Sequence, residues 1–520
     1  MPIEIPEFVN IAEEFVSRPA REHPDRIAIL GEPSRFTYGE VAAAVNRGAN
    51  SLRAWECRPG DRVLIVLPDS IEFIAAFFGA AQIGAIAVPV NSMARAEDYA
   101  YYLANSGAKF AVVHHSVVAE SVLENFPPSL DVVAITGGEA KEMRGVKVVS
   151  WEETCRAASD KCESHPTRPT DSAFFLYTSG SGGTPKAAIH RHEDMLHTSR
   201  GFAHEVLGLR SDDITYSVSK LFFAYGLGNG MYFPFSVGAS TILDPGKPKP
   251  ERTAEILATH RPTVLFSVPT FFAALLREAE RGLTVDCSSL RVAVSAGETL
   301  PAEIFERFKQ KFGVEIIDGI GSTEMLHMFL SCRPGKARAS SCGTEVPGCE
   351  AKIVDDEGRE AGENEIGNLW VRGGGAFSGY WNKPELTSCT KRCGWVVTGD
   401  KFTRDADGFY HYCGRADDMM KVAGMWVSPG EVENALLAHP LIAEAAVVAC
   451  ENDLGLVRPA AYVVLKNGTE IRGELGKEIR DWLKKKLSNF KCPSEVHFVE
   501  NLPKTATGKI QRFRLRTAIR

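Results

Sequence analysis

The stretch Tyr177–His192, "YTSGSGGTPKAAIHRH", follows a short apolar run from Ala173 to Leu176. Its density of glycine, serine and threonine, closed by a lysine, reads as a loop that wraps a phosphate. Glycine reaches conformations other residues resist, so successive backbone N–H groups can converge on an anion. Hydroxyls add hydrogen bonds, and Lys186 adds a point charge. The loop departs from the P-loop pattern G-x-x-x-x-G-K-[ST]. Counted from Gly180, Pro185 takes the place of the second glycine, and Lys186 is followed by Ala187, which has no hydroxyl for magnesium. A P-loop nucleotidase is therefore a poor reading. An unliganded Gly/Ser turn is the plain alternative for the loop taken alone.

The 520 residues exceed one ordinary core, so two or more domains are expected. A hydrophobic content of 44% with 24% charged residues is that of a soluble globular chain. The net charge of −7 argues against nucleic acid as a partner and offers nothing to an anionic membrane surface. Twelve cysteines occur without a C-x-x-C pair, and Cys389 and Cys393 have no second pair at zinc spacing. Reduced thiols in a cytoplasmic protein are expected. The N-terminus lacks a basic-then-apolar signal, and "RTAIR" is no peroxisomal address. The most membrane-like run, Phe73 to Val90, contains Gln82 and Pro89 and reads as a buried helix entering a strand.

Short apolar runs alternate with helical patterns, as in an α/β protein. Residues 62–67, 110–115, 131–136, 263–268 and 290–297 read as strands, and 300–312 as a helix. The texture changes after Gly414. Ser428 reads as an N-cap, Pro429 as the first helical residue, and Glu431 as the partner in a capping box. His439-Pro440 ends that helix, and strands follow at 444–450 and 460–465. A second helix carries Ile471, Leu475, Ile479, Trp482, Leu483 and Leu487 on one face. These elements form a compact α+β module, with the boundary near Asp417. Lys477, Arg480 and Lys484–Lys486 make a basic stripe that reads as a solvated helix face.

The loop has company. "SAGETL" (295–300), "GIGSTE" (319–324), "GNLWVRGGGAFSGYW" (367–381), "VTGD" (397–400), "GRADDMMK" (414–421) and "PKTATGKIQR" (503–512) occur in that order. Together with "YTSGSGGTPKA" they resemble the core motifs of the adenylate-forming superfamily, over nearly the whole chain. "KLFFAYGLGNG" (220–230) with "DGIGSTEMLHMF" (318–329) resembles the benzoate-CoA ligase branch. The fold this implies is α/β, a large N-terminal region of stacked α/β subdomains (1–416) with a small mobile α+β lid (417–520).

The resemblance implies ATP-dependent activation of an aromatic acid to an acyl-adenylate, then thioester formation with coenzyme A. A stand-alone enzyme that loads a separate carrier protein is the alternative; the absence of a carrier domain after Lys509 favours coenzyme A. Such chemistry rests on positioning and charge stabilisation. By resemblance, Thr178, Ser179, Gly180, Ser181 and Gly183 cradle the β- and γ-phosphates, with Lys186 at their end. Thr323 bonds the α-phosphate and Glu324 holds Mg2+, a hard cation suited to one carboxylate plus phosphates. Gly297, Glu298, Asp318, Gly319 and Ile320 frame adenine, Asp400 binds the ribose, and Arg415 supports it. Lys509 reaches from the lid to the reacting centre, and Asp417 is the hinge.

Phe223, Ala224, Tyr225, Gly319, Gly321 and His327, with Lys421, surround an aromatic ring by resemblance, the small residues leaving it room. Ala423 and Gly424 line a pantetheine tunnel where many relatives carry Gly-Gly. The loop differs from its relatives at Gly182, usually threonine or serine, and at Ala187, usually glycine. His190, His192 and His197 invite a metal reading, which fails because the first two fall on the strand leaving the loop. Members of the superfamily are often homodimers.

Overall fold

In a computed structural model the chain is described at residues 4–31, 34–117, 130–140, 145–179, 184–422, 425–451, 457–466, 469, 471–504 and 510–517. Two large sheets build the first part. In one, the parallel strands Ile214–Ser217, Val264–Ser267, Val292–Ser295 and Ile316–Gly321 lie at the centre of nine. In the other, Arg62–Val66, Ile86–Pro89, Phe110–His114 and Val132–Thr136 run parallel beside the antiparallel hairpin Ser172–Ser179/Pro185–Arg191. Strands buried on both faces need continuous apolar runs, which is how these segments read. The run from Phe73 is the buried helix Ile71–Gln82, followed by the strand Ile86–Pro89. Ser70 caps that helix by accepting from the Phe73 N–H, and Gln82 is satisfied by Asn46 and the Cys162 carbonyl. Among the described residues no helix is long and apolar enough to cross a membrane.

A smaller antiparallel sheet follows, with Trp395–Arg404 paired to Gly367–Gly373 and to Tyr410–Arg415. From Met420 onward the buried clusters share no residue with those of the preceding chain. Ile442–Glu451, Val457–Leu465 and Glu495–Phe498 form a three-stranded sheet covered by the helices Pro429–Leu437 and Leu475–Lys484.

Two local expectations are corrected. Ser428 accepts from the Glu431 N–H at 3.2 Å, but the Glu431 carboxylate does not close a capping box. It receives Lys491 Nζ at 2.6 and 2.8 Å instead. Ile471 lies before the helix Leu475–Lys484 and is 65% exposed, because the chain turns at 473–474 and the apolar face begins at Leu475.

Candidate active site

The loop hairpin frames the site. Its strands place Thr178 opposite Lys186 and Ser179 opposite Pro185. The Tyr177 hydroxyl donates to Asn105 Oδ1 at 2.7 Å, and the Tyr101 hydroxyl to the Pro185 carbonyl at 2.6 Å, which fixes the hairpin beneath its tip. Ala187 is buried in an apolar cluster with Phe175, against which Trp381 packs, so its methyl fills space that glycine would leave. Gly180, Ser181, Gly182 and Gly183 lie outside the described residues, as do Ala423, Gly424 and Lys509.

Lys186 faces the turn Thr323–Met325, which follows the strand Ile316–Gly321 and is capped by Ser322. Its Nζ stands 3.3 Å from Glu324 Oε1 and donates to the Tyr380 hydroxyl at 2.5 Å. That hydroxyl in turn donates to Glu324 Oε1 at 2.5 Å. Burial opposes ionisation of Glu324, but the Lys186 charge and the Tyr380 hydrogen bond outweigh it and hold the carboxyl below its usual range. Burial first, then the Glu324 charge, keep the Tyr380 phenol protonated. Tyr380 belongs to the strand Gly379–Tyr380, paired to the loop hairpin with Tyr380 opposite Ala188. The motif ending in "SGYW" assigns Tyr380 no role by itself; a tyrosine between glycine and tryptophan in a strand beside the loop is the available signal.

The main chain of this turn is also held. The Thr323 carbonyl accepts from His190 Nε2 at 2.8 Å, and the Glu324 carbonyl from the Phe377 N–H at 2.7 Å.

Ser267, Ser295 and Asp318 stand in register at the carboxyl ends of three parallel strands, the edge where open α/β sheets take ligands. Burial pushes the Asp318 carboxyl up to about 8. Gly297, at φ +90°, turns the chain after the strand Val292–Ser295, and the half-buried Glu298 accepts from the Thr270 N–H and hydroxyl at 3.3 Å. Ile320 packs against a separate apolar cluster that includes Phe329 and Leu330.

Gly319 and Gly321 each admit a close approach of backbone. A Cβ at Gly319 would stand 2.6 Å from the Leu330 carbonyl, and one at Gly321 2.5 Å from the His327 carbonyl. Both are needed because the strand Met328–Ser331 folds back on Ile316–Gly321 with an irregular register at this point.

Phe223 packs on Phe222 at 4.5 Å and leads into the short helix Ala224–Leu227. The Tyr225 ring lies 5.4 Å from the His327 ring, and Phe202 and Phe233 lie 5.0 and 4.6 Å from His327. Tyr225 directs its hydroxyl to the Val294 and Ser267 carbonyls at 3.2 and 3.3 Å, and His327 Nε2 meets Asn229 Oδ1 at 3.1 Å. Burial, only partly opposed by the Tyr225 backbone, lowers the His327 imidazole to about 3, so the ring is neutral. Asn229 escaped the sequence reading; its place four residues after Tyr225 on a helical stretch was the only signal.

Asp400 and Arg415 are cross-strand partners, with Nη1 3.0 Å from Oδ1. Arg415 Nη1 also donates to the Thr398 carbonyl at 3.1 Å. Lys421 stands exposed on the strand Met420–Val422, and its charge acts on Asp356. Asp417 lies between Arg415 and the charged pair Asp418–Arg512, 3.8 Å apart. His192 departs from its neighbour: it begins a helix and its Nδ1 accepts from the Ile11 N–H at 3.2 Å. Among the described residues no three His, Cys, Asp or Glu side chains group as a metal site.

The AMP-binding enzyme profile matches residues 16–381, and the AMP-binding enzyme C-terminal domain profile matches residues 431–509. The chain belongs to the AMP-binding enzyme family. It is 39% identical to a benzoate–CoA ligase of Thauera aromatica, over 99% of this chain and 97% of that one. A 3-hydroxybenzoate–CoA/4-hydroxybenzoate–CoA ligase of the same organism is 38% identical, over 98% of this chain and 97% of its own. The crystal structure of the anthranilate CoA ligase AuaEII in complex with anthranoyl-AMP superimposes with a TM-score of 0.92 at 37% identity, covering 99% of this chain and 98% of that one. The resemblance to the benzoate-CoA ligase branch, read from two segments, thus extends over the full length.

Proposed function

We propose that the chain is an AMP-forming aryl-CoA ligase acting on benzoate or a hydroxy- or amino-substituted benzoate. The acid's carboxylate oxygen attacks the α-phosphorus of ATP as the bond to pyrophosphate breaks. The thiol of coenzyme A, giving up its proton, then attacks the acyl carbon and AMP departs. The observation that carries the reading is the Lys186–Tyr380–Glu324 chain at the base of the loop hairpin, three residues from His327 of the aromatic cluster.

In this reading Thr178, Ser179 and Lys186 receive the β- and γ-phosphates with Gly180, Ser181 and Gly183, and Thr323 bonds the α-phosphate. Preorganised donors of this kind stabilise charge as it develops. Glu324 is a single ionised carboxylate beside Lys186 and Tyr380, and such a donor fits magnesium, which completes its shell with phosphate and water oxygens. When bound, the metal would neutralise phosphate charge. Gly297, Glu298 and Asp318 to Ile320 frame adenine. Asp400 takes the ribose, with Arg415 holding its carboxylate in place. Phe223, Ala224, Tyr225, Gly319, Gly321 and His327 form the wall of the ring pocket. Residues 417–520 act as a lid hinged at Asp417, bringing Lys509 to the adenylation step. Turned the other way, it brings Lys421, Ala423 and Gly424 toward coenzyme A.

The test is AMP release with benzoate and substituted benzoates, supplied with coenzyme A, a carrier protein or neither. Release that depends on coenzyme A supports the proposal. Release that depends on the carrier assigns the alternative acceptor, and no adenylation with any aryl acid overturns the reading.

A further inference from the structure

One strand, Pro185–Arg191, reaches two consecutive residues of the Thr323–Met325 turn. Lys186 and His190, four residues apart and so on the same face of the strand, point to the same neighbour. Lys186 takes the Glu324 carboxylate at 3.3 Å, and His190 Nε2 takes the Thr323 carbonyl at 2.8 Å. His190 is completely buried, stacked on Phe174 at 5.2 Å with an interplanar angle of 18°. Its other ring nitrogen, Nδ1, lies 2.9 Å from Asp194 Oδ2, also completely buried. Asp194 is itself immobilised. It accepts from the Arg191 N–H and from Arg191 Nε, each at 3.0 Å. Arg191 Nη2 continues to the Gly374 and Ala376 carbonyls, next to Phe377, whose N–H holds the Glu324 carbonyl. A ring pinned at both nitrogens has one orientation, and its neighbours fix that orientation from three sides.

We propose that His190 is a positioning residue for adenylation: oriented by Asp194, it fixes the Thr323 main chain and hence the hydroxyl that meets the α-phosphate. The proposal rests on the reading of Thr323 given above. The shared strand couples the phosphate loop to that contact, so the cradle and the α-phosphate donor move as one body. Displacement of a contact by about 1 Å is enough for a rate loss near 10²-fold, with little effect on binding made elsewhere along the triphosphate.

The experiment is a double-mutant cycle with His190→Ala and Thr323→Ala in the full chain, supported by thermal melts and equilibrium MgATP binding. Pyrophosphate release and thioester formation from preformed aryl-adenylate are followed separately. The expected result is a fall of about 10²-fold in kcat for pyrophosphate release with His190→Ala, and a change of no more than about threefold in KM and Kd for MgATP. In the Thr323→Ala background the same substitution has little further effect, because both act on one contact. Losses that multiply, or an adenylation rate within about threefold of the parent, overturn the proposal. If the alanine variant does not fold, His190→Gln carries the cycle. Its amide keeps one donor for the Thr323 carbonyl, so a partial loss coupled to Thr323 supports the role, and an uncoupled or absent loss overturns it. A parent that adenylates no aryl acid refutes the functional reading instead, so the two failures are distinct.

Discussion

Lys186 and Glu324 stand 3.3 Å apart with the Tyr380 hydroxyl bonded to both, a cation and a carboxylate joined through one phenol. The phenol satisfies charge that burial would otherwise penalise. Tyr380→Phe keeps the ring and deletes the bridge. A lost hydrogen bond to a charged, buried group costs about 1.5–3 kcal/mol. The expected outcome is a rise of about tenfold in KM for MgATP and a lower melting temperature, with aryl-adenylate thioesterification nearly unchanged. Titration of pyrophosphate release against MgATP checks it. Unchanged kinetics would leave Tyr380 a packing residue only.

Gly321→Ala tests what this glycine accommodates. The added Cβ would stand 2.5 Å from the His327 carbonyl and 2.8 Å from the Met328 nitrogen, both backbone atoms with nowhere to go. Overpacking of this kind costs about 1–3 kcal/mol. We expect a lower melting temperature together with weaker aryl-acid binding, since the His327 end of the aromatic cluster must shift. A stable variant with only an altered ring preference would mean that the glycine leaves room for the ring and not for the returning strand.

Much of the site was legible because its residues lie in contiguous motifs. The hairpin brings Thr178 to Lys186 by local pairing alone, and Asp400 and Arg415 are partners across one antiparallel pair. What escaped was long-range. Tyr380 reaches Glu324 across 56 residues and His190 reaches Thr323 across 133, contacts that no spacing rule encodes. Gly319 and Gly321 carry a related ambiguity. A glycine announces a close approach without naming what approaches, and here it is the returning strand. The fold was easier, since buried parallel strands and their helices carry continuous or periodic apolar signals. Ile471 was misplaced because an apolar residue just before a helix satisfies the same period as one inside it.

Lys509→Ala separates the two half-reactions. In the proposed cycle the lysine contributes a single preorganised charge to adenylation only. Its loss is expected to slow pyrophosphate release by about 10²–10³, as removal of one oxyanion donor does. Thioester formation from preformed adenylate should remain near the parent rate. Rapid-quench measurement of each step decides, and equal slowing of both would sink the assignment and the lid cycle built on it.

Asp318 predicts how stability responds to pH. Its carboxyl is raised to about 8 by burial, whereas an unfolded chain titrates it near the ordinary aspartate value of about 3.9. Between those values the native state holds a proton that the unfolded state has lost. The unfolding free energy therefore decreases as pH rises through that window and levels above it. The sign is opposite to that of a paired carboxylate, whose stabilisation is lost on acidification. Asp318→Asn removes the titration while keeping the shape. The variant should gain on the parent in unfolding free energy as pH rises from 5 to about 8, by an amount on the order of a few kcal/mol at the upper end, with its melting temperature rising relative to the parent in step. Paired melts across that range check it. An Asn variant whose difference from the parent stays flat with pH would mean that Asp318 is ionised throughout. The proposed adenine edge would then carry a full negative charge at neutral pH rather than a proton available for donation.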